Sequence, residues 1–207
     1  MAESQIQNFN HLKIHSQFSI CEGAIKIDDL KEISKEKKIR SLALCDTSNL
    51  CGALEFAEKI SKVGTQPIIG TQINFKLDDT IGLLPLFALN EIGYKRIIEL
   101  SSLSYLNNDG TLDPHLNFEE LLKNNEGVAI FSGTINGLVG QLFNKGKFSE
   151  IEKLYSKLKQ KYGDKFYIEI QRHGDQNEIS FEKFNLSQSL NLETVSYTHL
   201  RAHETDS

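Results

Sequence analysis

Cysteine is scarce in this chain of 207 residues: Cys21, Cys45 and Cys51 are the full set. Three thiols cannot all pair, and none forms a C-x-x-C step. Reduced thiols are therefore favoured over a disulfide framework or a zinc knuckle. Long apolar runs are missing too. No stretch approaches the roughly 18 residues of a membrane span, and the opening MAESQIQNFNH lacks the basic-then-apolar layout of a secretory signal. A cytoplasmic protein with no membrane partner is expected. Nor is there an excess of positive charge. Acidic residues outnumber basic ones, 28 to 23, for a net charge of -5. The chain has no general attraction for phosphate backbones, and any nucleic-acid contact must be local.

What is present suits a buried core. With 39% hydrophobic and 25% charged residues, the chain reads as one globular domain or most of one. Alternation through Leu12 and Ile14 predicts a first strand, which puts His11, Lys13 and His15 on one face and Leu12 and Ile14 on the other. Asp28 or Asp29 then caps a helix through Leu30, Ile33 and Ile39. SLALCD reads as a short strand delivering Asp46 to a rim, where it lines a site or caps the following loop. GALEFAEKISKV has helical spacing and QPIIGTQINF that of a strand. LLPLFALN, EIGYKRIIELSSLSYL, the turn NNDG, FEELLK and GVAIFSG continue the alternation. Ile151, Leu154, Tyr155, Leu158 and Tyr162 keep helical steps up to a stop at Gly163, and KFYIEIQ follows as another strand. Repeated βα units imply a mainly parallel sheet, open or closed into a barrel, with functional residues where strands end. The lysine-rich stretch from Lys145 to Lys165 is interleaved with Glu150, Glu152 and Asp164, which reads as a solvated helix face rather than a DNA-binding one. Gly133, Gly137 and Gly140 do not follow G-x-G-x-x-G and read as turn and close-packing positions.

The end departs from this pattern. TVSYTHLRAHETDS is polar where a parallel fold should enter an apolar strand, and it resembles translated adapter sequence. Residues 195–207 are therefore expected to be a non-native, unordered tail, leaving residues 1–194 as the domain. His199 and His203, four apart, would suit a metal on a helix. On this reading they are not a site.

HLKIHSQFSICEGA, ALCDTSNLCGALEF, PIIGTQINF, NEGVAIFSG and FYIEIQRHG occur in the order and spacing of one known family. Across residues 10–192 the chain resembles the PHP (polymerase and histidinol phosphatase) domain found at the amino terminus of bacterial DNA polymerase III alpha subunits. The resemblance implies an α/β fold, a distorted (β/α)7 PHP barrel, here incomplete at the C-terminus. The missing strand would leave an open edge and a fragment prone to aggregate. It also implies a DNA-directed DNA polymerase of DNA replication whose palm, with its Mg, lies beyond residue 207.

Metal-binding PHP enzymes carry an H-x-H pair whose second histidine matches His15, while the first position is Lys13, whose ammonium has no lone pair to offer. Glu22 and His173 match retained ligands. Thr47, after Asp46, stands for a histidine, Gln72 for a glutamate, and Thr134 for a cysteine or histidine. Hydroxyls and amides are poor ligands for zinc or manganese. Removing a cation from facing carboxylates calls for lost charge or a counter-ion. Gln72 supplies the first and Lys13 the second, with Lys13 expected to lie toward Asp46 or Glu22. Glu169 is expected at the rim with His173. The set Lys13, His15, Glu22, Asp46, Thr47, Gln72, Thr134 and His173 is thus read as a vestigial site with no catalytic residue and no cofactor. The implied role is structural, with docking of the proofreading exonuclease and the rest of the replicase, and with DNA reached through the full-length protein. The alternative is a metal-dependent phosphoesterase or 3'-5' exonuclease using Zn or Mn held by His15, Glu22, Asp46 and His173.

Overall fold

The computed structural model describes residues 10–106, 110, 112–172, 176–192 and 195–200, with Arg172 and the last six described by backbone alone. Its elements are α1 (Ile27–Glu36), β1 (Ser41–Thr47), α2 (Ala53–Ser61), β2 (Gln66–Leu77), β3 (Thr80–Ala88) and α3 (Glu91–Leu106), followed by β4 (His115–Asn117), α4 (Phe118–Lys123) and β5 (Val128–Phe131). After these come α5 (Leu138–Asn144), α6 (Phe148–Tyr162), β6 (Phe166–Arg172), α7 (Gln176–Asn191) and β7 (Val195–Leu200). One sheet runs in the order β1-β2-β3-β5-β6-β7, and β4 pairs with the far end of β2. The sheet curls into an open half-barrel, the incomplete PHP-type barrel that the sequence implied.

The sheet is mixed rather than mainly parallel. β1–β2, β5–β6 and β6–β7 are parallel, but β3 runs antiparallel to both β2 and β5. The cause is local. Between QPIIGTQINF and LLPLFALN there is no room for a helix, so β2 and β3 form a hairpin across Asp78 and Asp79, with Asp78 at φ 51°.

Residues 10–15 are not a regular strand. They lie along β1, whose Ala43 N–H donates to the His11 carbonyl (3.0 Å) and whose Cys45 N–H donates to that of Ile14 (2.8 Å). A step of two residues on β1 is answered by three on this segment, the extra residue of a bulge. The bulge breaks the expected alternation. Leu12 packs with Ala43, Cys45, Phe87, Ala129 and Phe131, whereas Ile14 packs with Leu42, Leu44, Phe56 and Ile60. The two residues therefore face opposite ways.

These contacts identify the faces of the sheet. Leu42 and Leu44 pack under Ile27 and Leu30 of α1 and Phe56 and Ile60 of α2. Ile73, Phe75, Leu84, Leu86, Val128, Ile130 and Ile168 pack under α3 to α7. The cluster of Ala43, Cys45, Phe87, Ala129 and Phe131 has no helical member. It is the concave interior, where Phe131 contacts Phe87 at 4.9 Å and Tyr167 at 5.2 Å between ring centroids.

In α1, Asp28 and Asp29 sit in the first turn rather than at the cap, Lys26 is the capping position, and Ile39 lies past the helix end. The first-turn carboxylates favour the helix through its dipole. The helix stops because Lys38 takes a left-handed φ of 52°. The helix through Tyr162 is as expected, with Gly163 at φ 57° ending it.

Residues 195–200, read from sequence as part of an unordered tail, have the backbone of a strand. Their backbone is β7, paired in parallel register with β6 from Tyr167 to Arg172. The open edge of β6 offers unpaired backbone groups, and Val195, Tyr197 and Thr198 are good strand formers. His199 lies in this strand, not on a helix; His203 is outside the described residues.

Candidate functional site

Just after the bulged segment the chain turns sharply. Ser19 N–H donates to Ser16 O (2.9 Å), Glu22 N–H to Ser19 O (3.0 Å), and Cys21 takes a φ of 65°. Asp46 holds this turn. Its carboxylate accepts from Ser16 N–H (2.6 Å), Ser16 Oγ (2.8 Å) and Ser19 Oγ (2.7 Å). Asp46 alternates with Ala43 and Cys45 on β1, so it faces away from the interior and is buried. It holds not the loop that follows it, as one expected role had it, but the earlier turn next to His15 and Glu22.

On the opposite side of β1, Thr47 stands beside Gln72 in the β1–β2 register. Gln72 Nε2 donates to Thr47 Oγ1 at 2.7 Å, and Thr47 Oγ1 donates to Glu22 Oε2. Three positions matched to ligands are thereby bonded to one another.

Lys13 reaches neither Asp46 nor Glu22. Its ammonium lies 3.3 Å from Glu169 Oε1 on β6, with the two side chains 8% and 0% exposed. Glu169 is an interior residue, not a surface or rim one, because Tyr167, Glu169 and Gln171 alternate with Phe166 and Ile168, which face the helices. Gln171 Nε2 also donates to Oε1 at 2.8 Å. The Glu169 backbone is tied by its N–H to Ser132 Oγ (2.9 Å) and by its carbonyl to Asn185 Nδ2 (3.1 Å), whose Oδ1 accepts from Tyr155 OH (2.8 Å). Glu169 Oε2 is buried without a hydrogen-bond partner among the described residues.

His15 Nδ1 lies 3.9 Å from Glu22 Oε2 and is likewise buried without a hydrogen-bond partner among the described residues. Burial holds its pKa below the ordinary histidine value, helped by the Lys13 charge and opposed by Glu22, Asp46 and Glu169.

Lys13, His15, Glu22, Gln72 and Thr134 line one cleft of about 380 Å³. Thr47 lines an adjoining cleft of about 460 Å³ that shares Glu22, Leu83 and Asn136 with the first. Six of the eight sequence-predicted positions thus meet at one mouth, with Asp46 buried behind it; His173 is outside the described residues. Sequence reasoning missed Asn136 and Gln171 as lining residues, and Ser16 and Ser19 as partners of Asp46. The alternation in FYIEIQ was the one signal that could have placed Glu169 and Gln171 inside.

The described residues fit a divalent cation poorly. Asp46 spends both oxygens on serines and the peptide N–H, and Thr47 and Gln72 are bonded to each other. Among the described residues no cluster of three or more His, Cys, Asp or Glu could hold a metal, and no helix is long and apolar enough to cross a membrane.

A family model described as "PHP domain" matches residues 11–173. The chain is 35% identical over 187 residues to the DNA polymerase III subunit alpha of Caulobacter vibrioides, covering 84% of this chain and 16% of that one. It is 37% identical over 166 residues to the same subunit of Rickettsia felis (80% and 14%) and 34% identical over 198 residues to that of Borreliella burgdorferi (89% and 17%). The chain thus spans about a sixth of the length of these curated relatives. Among solved structures, an amidohydrolase from Chromobacterium violaceum with bound SO4 and no metal aligns at TM-score 0.56 and 13% identity, over 94% of this chain and 89% of that one. A two-domain protein from Bacteroides vulgatus, containing a predicted PHP-like metal-dependent phosphoesterase, aligns at 0.52 and 12%, over 92% and 52%. At such identities these two show a shared fold alone.

Proposed function

This chain belongs to the PHP domain family, and from that membership we propose that it is the amino-terminal part of a replicative DNA polymerase alpha subunit, with its PHP domain a metal-free structural and docking module. The partner is the proofreading exonuclease, within a cytoplasmic replicase. Nucleotidyl transfer, with its Mg, belongs to parts of the subunit outside this chain, which also carry it to DNA.

The observation that carries this reading is the internal bonding of the replaced positions. Gln72 donates to Thr47, Thr47 donates to Glu22, and Lys13 pairs with Glu169. Each substitution removes negative charge or a metal-binding atom, and the groups introduced find partners within the protein. A site that must activate water and hold phosphate oxygens through metal ions needs free imidazole and carboxylate atoms at those positions. A pull-down of the cognate exonuclease by the full-length alpha subunit tests the docking role. Absence of binding would remove it and leave the family membership intact.

A second reading, a Zn- or Mn-dependent phosphoesterase or 3'-5' exonuclease, draws on the fact that His15 and Glu22 face the same cleft. It requires manganese-stimulated hydrolysis of a generic phosphodiester that His15→Ala abolishes. Without that activity it fails.

A further inference from the structure

Several hydrogen-bond donors at this mouth are already engaged within the protein. Gln72 Nε2 is engaged by Thr47, the Thr47 hydroxyl by Glu22, and Gln171 Nε2 by Glu169 Oε1. The Lys13 ammonium is buried against Glu169. Acceptors remain. They are the Glu22 carboxylate, whose side chain is 41% exposed, and the amide oxygens of Gln72 and Gln171, whose NH2 groups each already donate one bond within the protein. Behind the wall, Glu169 Oε2 is fully buried and has no hydrogen-bond partner among the described residues. Glu169 borders a cavity of about 10 Å³, and two of that cavity's walls, Thr134 and Gln171, also line the cleft.

Charge has the same sense. Among the described residues at this mouth, the Lys13 cation is opposed by Glu169 behind it and Glu22 in front. An arriving anion meets surplus carboxylate and a lysine already neutralised, whereas an arriving cation meets acceptors. Electrostatic complementarity therefore selects a positively charged donor. Its apolar stem can lie on Leu83, which lines both clefts.

We infer that this cleft is a socket for a cationic side chain of a protein partner, an alkylammonium or guanidinium head bonded to the Glu22 carboxylate and to the amide oxygens of Gln72 and Gln171. The inference deepens the docking role proposed above and rests on it for the identity of the occupant as protein.

The test titrates the 207-residue chain with methylguanidinium, n-butylammonium and inorganic phosphate, following the side-chain amide resonances of Gln72 and Gln171. Saturable shifts are expected with either cation, weakened at least about fivefold in Glu22→Gln by loss of the charged acceptor, and none with phosphate. Glu22 is partly exposed, so this substitution should leave the fold intact. Saturable phosphate binding without a response to the cations would overturn the socket in favour of an anion site at Lys13. Cation binding of unchanged strength in Glu22→Gln, or no saturable response to any probe, would overturn it as well. The probes are free small molecules, so the outcome does not depend on the exonuclease: a failed pull-down beside intact cation binding removes the docking role and leaves the cation site standing.

Discussion

Replacing Lys13 by methionine keeps most of the buried stem and removes the ammonium. Glu169 then retains Gln171 Nε2, at 2.8 Å, as the donor to its carboxylate. Breaking a buried ion pair from one side costs about 3–5 kcal/mol, because the remaining charge is left without its counter-ion. With side chains 8% and 0% exposed, water screens this pair little. The remaining amide bond places the loss near the low end, about 3 kcal/mol, which for a chain of this size lowers Tm by about 6–12 °C. The double variant Lys13→Met/Glu169→Gln removes both charges and should return to within about 1 kcal/mol of the parent. Urea titrations near neutral pH, followed by far-UV circular dichroism, give the four corners of the cycle. Coupling above about 1.5 kcal/mol is expected. If the two single losses simply add in the double variant, the pair is not a unit and the account of Lys13 as an internal counter-ion is refuted.

Two further outcomes follow from the same geometry. Asp46→Asn replaces an acceptor-only carboxylate with a group that presents NH2 toward Ser16 or Ser19, so a loss of about 3 kcal/mol is expected, with faster hydrogen exchange at the Ser16 amide; exchange unchanged from the parent would contradict this. For pH, burial lowers the pKa of both His11 and His15 below 6.5, so between their folded values and the ordinary one the unfolded chain binds more protons. Stability is then full above the ordinary histidine range and falls as pH drops through it; urea midpoints should decrease on mild acidification, less so in His15→Gln, and a midpoint that rises would show the opposite sign.

How far the fold was legible depended on locality. Helices α2, α4 and α6 and strands β1, β5 and β6 carry their period in their own residues, and Leu154, Leu158 and Tyr162 are buried as their spacing required. The direction of β3 was not local information. It follows from a short turn at Asp78 and Asp79 that a reading by alternating elements passes over. The same holds for residues 10–15, where one extra residue against β1 reverses the faces that a regular strand would give Leu12 and Ile14. The gathering of Lys13, His15, Glu22, Gln72 and Thr134 at one mouth was legible through family resemblance, not through composition or period. The partner of Lys13 was not. Glu169 lies 156 positions away in sequence, and only the curl of the sheet brings β6 over the bulged segment. The charge logic anticipated that a lysine in this setting would need a carboxylate, and geometry decided which one.

The most direct test of the central claim is the metal content of the purified chain, measured by elemental analysis after expression with zinc and manganese supplied. A site in which Lys13 is satisfied by Glu169, Gln72 by Thr47 and Thr47 by Glu22 predicts well under one equivalent of either metal, with no further loss in His15→Ala. A full equivalent of zinc or manganese that His15→Ala removes would contradict it.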